Sequence, residues 1–150
     1  MPNSSHVIGG GVNKPQPKDR SFICDDEIRN VKYQGKPGFL IRVLLPSYRA
    51  LPLSCIENIE LAIDGAPVDP KDITFILNGS SHKLNELGGL SKSFWWILDY
   101  ADLFIEGHAP LSLGEHLVAG TMVTVEPYMT VGRFPFFYPA QKRLSVAADL

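Results

Sequence analysis

Cysteine is scarce: Cys24 and Cys55 are the only two among 150 residues. Two thiols make no disulfide framework, and both read as free, with Cys55 half-buried beside its strand. Neither has a basic neighbour in sequence to mark it as a low-pKa nucleophile. Apolar runs of about 18 residues are missing, which excludes a membrane-spanning helix. Excess positive charge is missing as well: the formal net charge is −2. Binding to nucleic acid would need a basic field that displaces counterions from phosphates. The first twenty residues lack the apolar stretch of a secretory leader and are not Arg-rich like a transit peptide. A cytoplasmic location is therefore the expectation. No Gly-x-Ser-x-Gly elbow occurs. The glycine-rich "HVIGGGVNK" follows no strand and leads to no Lys-Ser/Thr, so it is poorly suited to cradle phosphate.

With 45% hydrophobic and 20% charged residues, the chain has an ordinary globular balance, enough for one domain with one sizeable core. Residues 1–20, rich in Gly, Pro, Ser and Asn, read as a flexible or extended arm. Strand signals fill 21–130. Phe39, Ile41, Val43 and Leu45 alternate with Leu40, Arg42 and Leu44, apolar on both sides, as in a well-buried strand. In "IENIELAIDG", Ile59, Leu61 and Ile63 share one face, and Asp64-Gly65 supplies a hairpin turn with positive φ. "ITFILNG" repeats the design, ending on Asn78-Gly79. "KSFWWILDYADLFIEG" fits either a helix of three turns or two strands, "FWWIL" and "DLFIEG"; its aromatic content favours strands. A long strand follows Gly114, with Val118 and Met122 on one face and Val123 and Val125 near the other. Gly120 within it marks a bulge or the close approach of another backbone. Short strands spaced about ten residues apart describe an antiparallel β-sandwich, Ig-like or jelly-roll-like. The segment 131–150 departs from the pattern. Phe134, Phe136, Phe137 and Tyr138 crowd together, yet Pro135 and Pro139 bar them from a central strand. The cluster either covers the open end of the domain's own core or docks on another chain.

Reaction chemistry is hard to find. His6 falls in the arm, His82 and His108 in turns, and His116 at the opening of the last long strand. None pairs with another at metal-ligand spacing beside a carboxylate, and all four read as solvated. "GEH" at 114–116 is more simply a turn entering a strand. Glu57, Glu60, Asp64, Asp69 and Asp72 read as the solvated exterior of hairpins rather than an acid-base pair. Neither catalytic nor metal-binding residues are therefore assigned. Recognition chemistry is plentiful instead: Tyr48, Arg49, Tyr128, Met129 and Arg133 are the residue types that anchor interfaces. A carbohydrate-binding sandwich without enzymatic activity is the alternative, with Trp95-Trp96 as a stacking platform. Strand alternation favours one tryptophan in the core and its neighbour over an edge.

Taken in order, "YRALPLSCIENIELAIDG", "ITFILNG", "LNELGGL", "FWWILDYADLFIEG", "PLSLGEHLV" and "VEPYM" resemble the β subunit of the bacterial C-glycoside deglycosidases. The resemblance runs from about Val31 to Met129. It implies a small β-sandwich subunit, inactive alone, paired with a TIM-barrel α subunit similar to sugar isomerases and epimerases. The α subunit of such a complex carries a divalent metal, commonly manganese, and the acid-base residues. The substrate is a 3-oxo-glycoside. Oxidation at C3 acidifies the C2 hydrogen, a base removes it, and metal stabilises the enediolate. Elimination then breaks the bond from the anomeric carbon to the aglycone, which makes the complex a carbon–carbon lyase. This chain would support the partner's active-site loops or wall its pocket. The contact residues inferred for that role are Tyr48, Arg49, Pro52, Tyr128, Met129, Arg133, Phe136 and Phe137. Pro46 and Pro52 stiffen the corner that carries the first of these, lowering the entropy lost on docking.

Overall fold

A computed structural model describes residues 21–47, 49–107, 110–125 and 134–146. These residues form an all-β sandwich of two antiparallel sheets. In the first are β1 (Arg29–Tyr33), β2 (Lys36–Leu44), β6 (Ile73–Leu77), β7 (Ser80–Lys83) and β9 (Tyr100–Glu106), in the spatial order β1-β2-β9-β6-β7. The second contains β4 (Ile56–Ile63), β5 (Ala66–Pro67), β10 (Gly114–Val125) and β11 (Pro135–Val146), in the order β11-β10-β4-β5. A two-residue ladder between β3 (Leu51–Pro52) and β8 (Phe94–Trp95) closes one end. Three hairpins turn on pairs with positive φ at both positions: Gln34-Gly35, Asp64-Gly65 and Asn78-Gly79. This geometry matches the right-handed twist of the flanking strands. The first of the three carries glutamine where asparagine or aspartate is usual, and its sequence signal is correspondingly faint.

The core lies between the sheets. Phe39, Ile41 and Val43 of β2, Leu103 and Ile105 of β9, and Ile73, Phe75 and Leu77 of β6 face Ile59, Leu61 and Ile63 of β4 with Val118 and Met122 of β10. Period-two alternation makes each strand contribute every second side chain. Between Val123 and Thr124 the ladder with β4 shifts register. The extra residue lies in β4, so Ile56 and Ile59 both reach the core; Val125, at the end of β10, belongs to the same core as Val118 and Met122. Gly120 sits where a Cβ would collide with the Glu60 carbonyl of β4, so the expected close approach of backbones is realised.

Both faces of β2 are covered, as its unbroken apolar run requires. Phe22 and Ile23 are fully buried, and the 22–24 segment extends the sheet beyond β1, with the Cys24 N–H on Arg42 O (3.0 Å) and the Leu44 N–H on Phe22 O (2.8 Å). Outside the sheet, Leu40, Ile76 and Phe104 form one cluster and Cys24, Leu44 and Tyr100 another. Cys24 and Cys55 are free thiols and both are buried, Cys55 more deeply than its sequence context indicated. Burial, with Asp26 nearby, pushes the Cys24 thiol up to about 12, which leaves it unreactive.

The 94–107 region is β rather than helical, but "FWWIL" is not one strand. Only Phe94 and Trp95 pair, after which the chain turns, with the Asp99 N–H on Trp96 O at 3.0 Å. Pro135–Val146 is also a strand. β11 lies at the edge of its sheet, the one place where two prolines fit.

Candidate functional site

β2 ends at Leu44 where β9 begins at Tyr100, and β4 begins where β10 ends and β11 starts. Three irregular pieces therefore meet at one end of the sandwich: the 45–52 corner, the 94–99 segment and the first residues of β11. Leu45, Ser47 and Leu51 anchor the corner from inside, and Arg49 projects at its tip. The Arg49 N–H reaches the Ser47 hydroxyl at 3.3 Å, which tightens the bend. Pro46 lines a recess of about 410 Å³ together with Phe137 and Tyr138, so corner and edge strand share one surface. Pro52 is buried within β3, opposite Phe94. It shapes the backbone and presents no surface of its own.

Apolar exposure is concentrated at this end. Among the described residues seven large hydrophobic side chains are exposed, and six belong here: Phe94, Trp96, Leu98, Phe134, Phe136 and Phe137. Phe94 and Trp96 stack with their rings 6.0 Å apart and inclined by 27°. Trp95, between them in sequence, points into the core, fully buried, with its edge against Phe75 at 5.1 Å. Its indole N–H donates to Asp99 O at 3.0 Å. A Trp95-Trp96 stacking platform is thereby ruled out, because strand alternation sends the two rings to opposite sides.

β11 offers side chains rather than a free ladder. The Ile28 N–H donates to Ser145 O at 2.8 Å, so odd-numbered residues of β11 aim their backbone groups away from β10. Pro135 and Pro139 belong to that set and have no N–H to give. Addition of a further strand is blunted there, and a partner meets Phe134, Phe136 and Phe137 instead.

Two polar clusters lie elsewhere. Arg42, buried on the outer face of the first sheet, forks onto Asp102 (3.1 and 3.3 Å), approaches Asp26 at 3.5 Å and stacks on the Tyr100 ring at 3.7 Å. At the end opposite the aromatic one, His116 is buried, with Nδ1 2.5 Å from Asp64 Oδ2 and Nε2 2.8 Å from Ser112 O. The Ser112 hydroxyl lies 3.4 Å from Nε2, which completes the composition of a Ser-His-Asp triad. It is not poised to act as one: Nε2 lies closer to the Ser112 carbonyl than to the hydroxyl, and while it donates there it has no lone pair for the hydroxyl proton. His116 is thus not the solvated turn residue its sequence suggested, and His82 lies on β7 rather than in a turn. Among the described residues no three His, Cys, Asp or Glu side chains gather as a metal site would require. No helix of the described residues is long and apolar enough to cross a membrane.

The C-glycoside deglycosidase beta subunit family matches residues 18–128, well over half of the chain. The chain belongs to that family. It is 34% identical over 111 residues to a 3'-dehydrocarminate deglycosidase beta subunit from a Microbacterium species, covering 73% of this chain and 83% of the relative. A C-glycoside deglycosidase beta subunit from Microbacterium trichothecenolyticum is 34% identical over 99 residues, covering 63% and 72%. One from Eubacterium cellulosolvens is 33% identical over 100 residues, covering 65% and 68%.

For a beta subunit, a partner subunit is implied by the name, and the aromatic end is the surface to weigh. Arg49, Phe136 and Phe137 are brought to that end, while Tyr48, Tyr128, Met129 and Arg133 lie outside the described residues, as do His6 and His108. Phe94, Trp96 and Leu98 were missed. Their signal was the odd–even alternation around Trp95, which places Phe94 and Trp96 together on the side away from the core. The family match includes Arg49, Phe94 and Trp96 and stops before β11.

Proposed function

We propose that this chain is the small, non-catalytic subunit of a complex that cleaves 3-oxo-glycosides by elimination, and that it docks through its aromatic end. The single observation that carries the docking surface is the gathering of six of seven exposed large hydrophobic side chains there. Aromatic side chains at such density anchor interfaces, and a monomer that left them in water would be prone to aggregate. The partner is a TIM-barrel subunit that supplies the base, the divalent metal and most substrate contacts. Four carboxylates of this chain are already engaged within its own fold. Asp64 is engaged with His116 and the Leu117 N–H, Asp102 and Asp26 with Arg42, and Asp25 with Lys142.

In the reaction, the base removes the C2 proton made acidic by the C3 ketone. The electron pair expels the aglycone from the anomeric carbon, and a proton is delivered to the aglycone. The metal, when bound on the partner, supplies Lewis-acid stabilisation of the developing oxyanion. This chain contributes by bracing the partner's loops and excluding water from one side of the pocket, which strengthens electrostatic interactions inside it. Its cost of docking is lowered by the stiff corner between Pro46 and Pro52.

The test is co-purification and turnover of a 3-oxo-C-glycoside. The chain alone is expected to be inactive, and a stable, active complex is expected with the TIM-barrel subunit. Cleavage by the purified chain without a partner would overturn the reading.

A further inference from the structure

The end opposite the docking surface holds a device independent of it. Just ahead of β10, Leu111 packs on the core cluster at this end. Asn30 of β1 grips the Leu111 backbone twice. The Leu111 N–H donates to Asn30 Oδ1 at 3.1 Å, and Asn30 Nδ2 donates to Leu111 O at 3.0 Å. One residue later the Ser112 carbonyl meets His116 Nε2 at 2.8 Å. The strap at 111–114 is thus tied by one amide and one imidazole.

The imidazole is held between two acceptors. Its Nδ1 faces a carboxylate oxygen of Asp64 and its Nε2 a backbone carbonyl, neither of which has a proton to give. A neutral ring carries one N–H and satisfies only one of them; the imidazolium satisfies both. The residue is only 8% exposed, so water reaches the ring poorly and makes up for the lost bond chiefly at the exposed Asp64 and Ser112 acceptors. Asp64 is itself fixed. It occupies the β4–β5 turn at φ 51°, and its other oxygen accepts the Leu117 N–H at 2.8 Å.

We propose that protonated His116 is a pH-operated latch that fastens the Ser112 end of the strap to the β4–β5 turn. Loss of its proton frees that end, while Asn30 keeps Leu111 in place at any pH. The surrounding charges do not compete for the role. Asp64 is the charged group that faces the ring from the turn, and Leu144, opposite His116 on β11, is apolar. Arg143, opposite Leu117, acts on Asp64 and not on the ring. The Asp64 hydrogen bond, then the Ser112 carbonyl, hold the imidazole above its ordinary 6.5 against the opposing effect of burial.

The experiment follows the His116 ring nitrogens by NMR in the full chain from about pH 5 to about pH 10, a range that brackets imidazole titration. Amide exchange at Leu113 and Gly114, corrected for its intrinsic pH dependence, is measured alongside. Both nitrogens are expected to be protonated below the midpoint, and that midpoint to lie above 6.5. Exchange at the two amides is expected to rise about tenfold through that midpoint as the strap opens locally. Asn30→Ala should speed exchange without abolishing the step, whereas His116→Gln should abolish it. Should His116→Gln fail to fold, the wild-type titration still decides. A ring that titrates at or below 6.5, or exchange that crosses the midpoint without a step, would overturn the latch.

Discussion

Phe137→Ala separates docking from folding, because this ring faces outward while its strand holds the core. Phe137 is 64% exposed, whereas Leu144 on the same strand is 3% exposed. An aromatic side chain carries about 200 Å², so about 130 Å² of Phe137 remains for a partner to cover. At about 25 cal/mol per Å² that area is worth about 3 kcal/mol. Ordering the ring takes back part of it, leaving a loss of about 2 to 3 kcal/mol on truncation. Affinity for the partner subunit should fall about 30- to 140-fold. The isolated chain should keep its stability to within about 0.5 kcal/mol, as an exposed site does. Leu144→Ala should do the reverse, costing about 2 to 5 kcal/mol of folding stability through the cavity it leaves. Isothermal titration against the partner and denaturant melts of the free chain read the two quantities separately. Unchanged affinity in Phe137→Ala would refute the docking surface. A melt as damaged as that of Leu144→Ala would show that the ring belongs to the core.

Arg49→Ala is expected to weaken assembly without moving the melting temperature of the free chain; if the monomer unfolds instead, Arg49 is an internal brace. Asp102→Ala removes the bidentate partner of the buried Arg42 guanidinium, leaving Asp26 and the Tyr100 ring beside it, and should cost up to about 3 to 5 kcal/mol. That corresponds to a fall of roughly 6 to 20 °C in Tm, which the apolar pair Arg42→Met/Asp102→Leu should largely restore in the same thermal melt. Gly120→Ala forces a methyl against the Glu60 carbonyl and should lower the unfolding free energy read from a denaturant melt by at least about 1 to 3 kcal/mol. Gly88→Ala, which meets open space, is the neutral control. His116 is held above its ordinary 6.5 by Asp64, and Asp64 below its ordinary 3.8 by His116 and the Leu117 N–H. The stability from the raised imidazole is complete below pH 6.5 and disappears as pH rises through its folded value. That from the lowered carboxyl is complete above pH 3.8 and disappears as pH falls through its folded value. Thermal melts should therefore place the latch's full contribution between these limits, and in His116→Gln the alkaline loss should be absent.

The sequence by itself determined the sandwich. Two-residue alternation in β2, β4 and β6 defines which side chains face a core, and Asp64-Gly65 and Asn78-Gly79 define where the chain reverses. These are local consequences of pleat and of the freedom of glycine at positive φ. The same alternation favours one of Trp95 and Trp96 in the core with its neighbour outside, and Pro135 and Pro139 bar their segment from the middle of a sheet. Tertiary structure alone decided which distant pieces meet. Asp64 and His116 are 52 residues apart, and Arg42 and Asp102 are 60 apart. No local periodicity encodes either pairing, because sheet order and register bring them together only after the strands have paired. The aromatic end arose in the same way. Alternation around Trp95 separates Phe94 and Trp96 from the core, but only the packing of the two sheets brings them to the same end as Phe137, beyond the edge of the core.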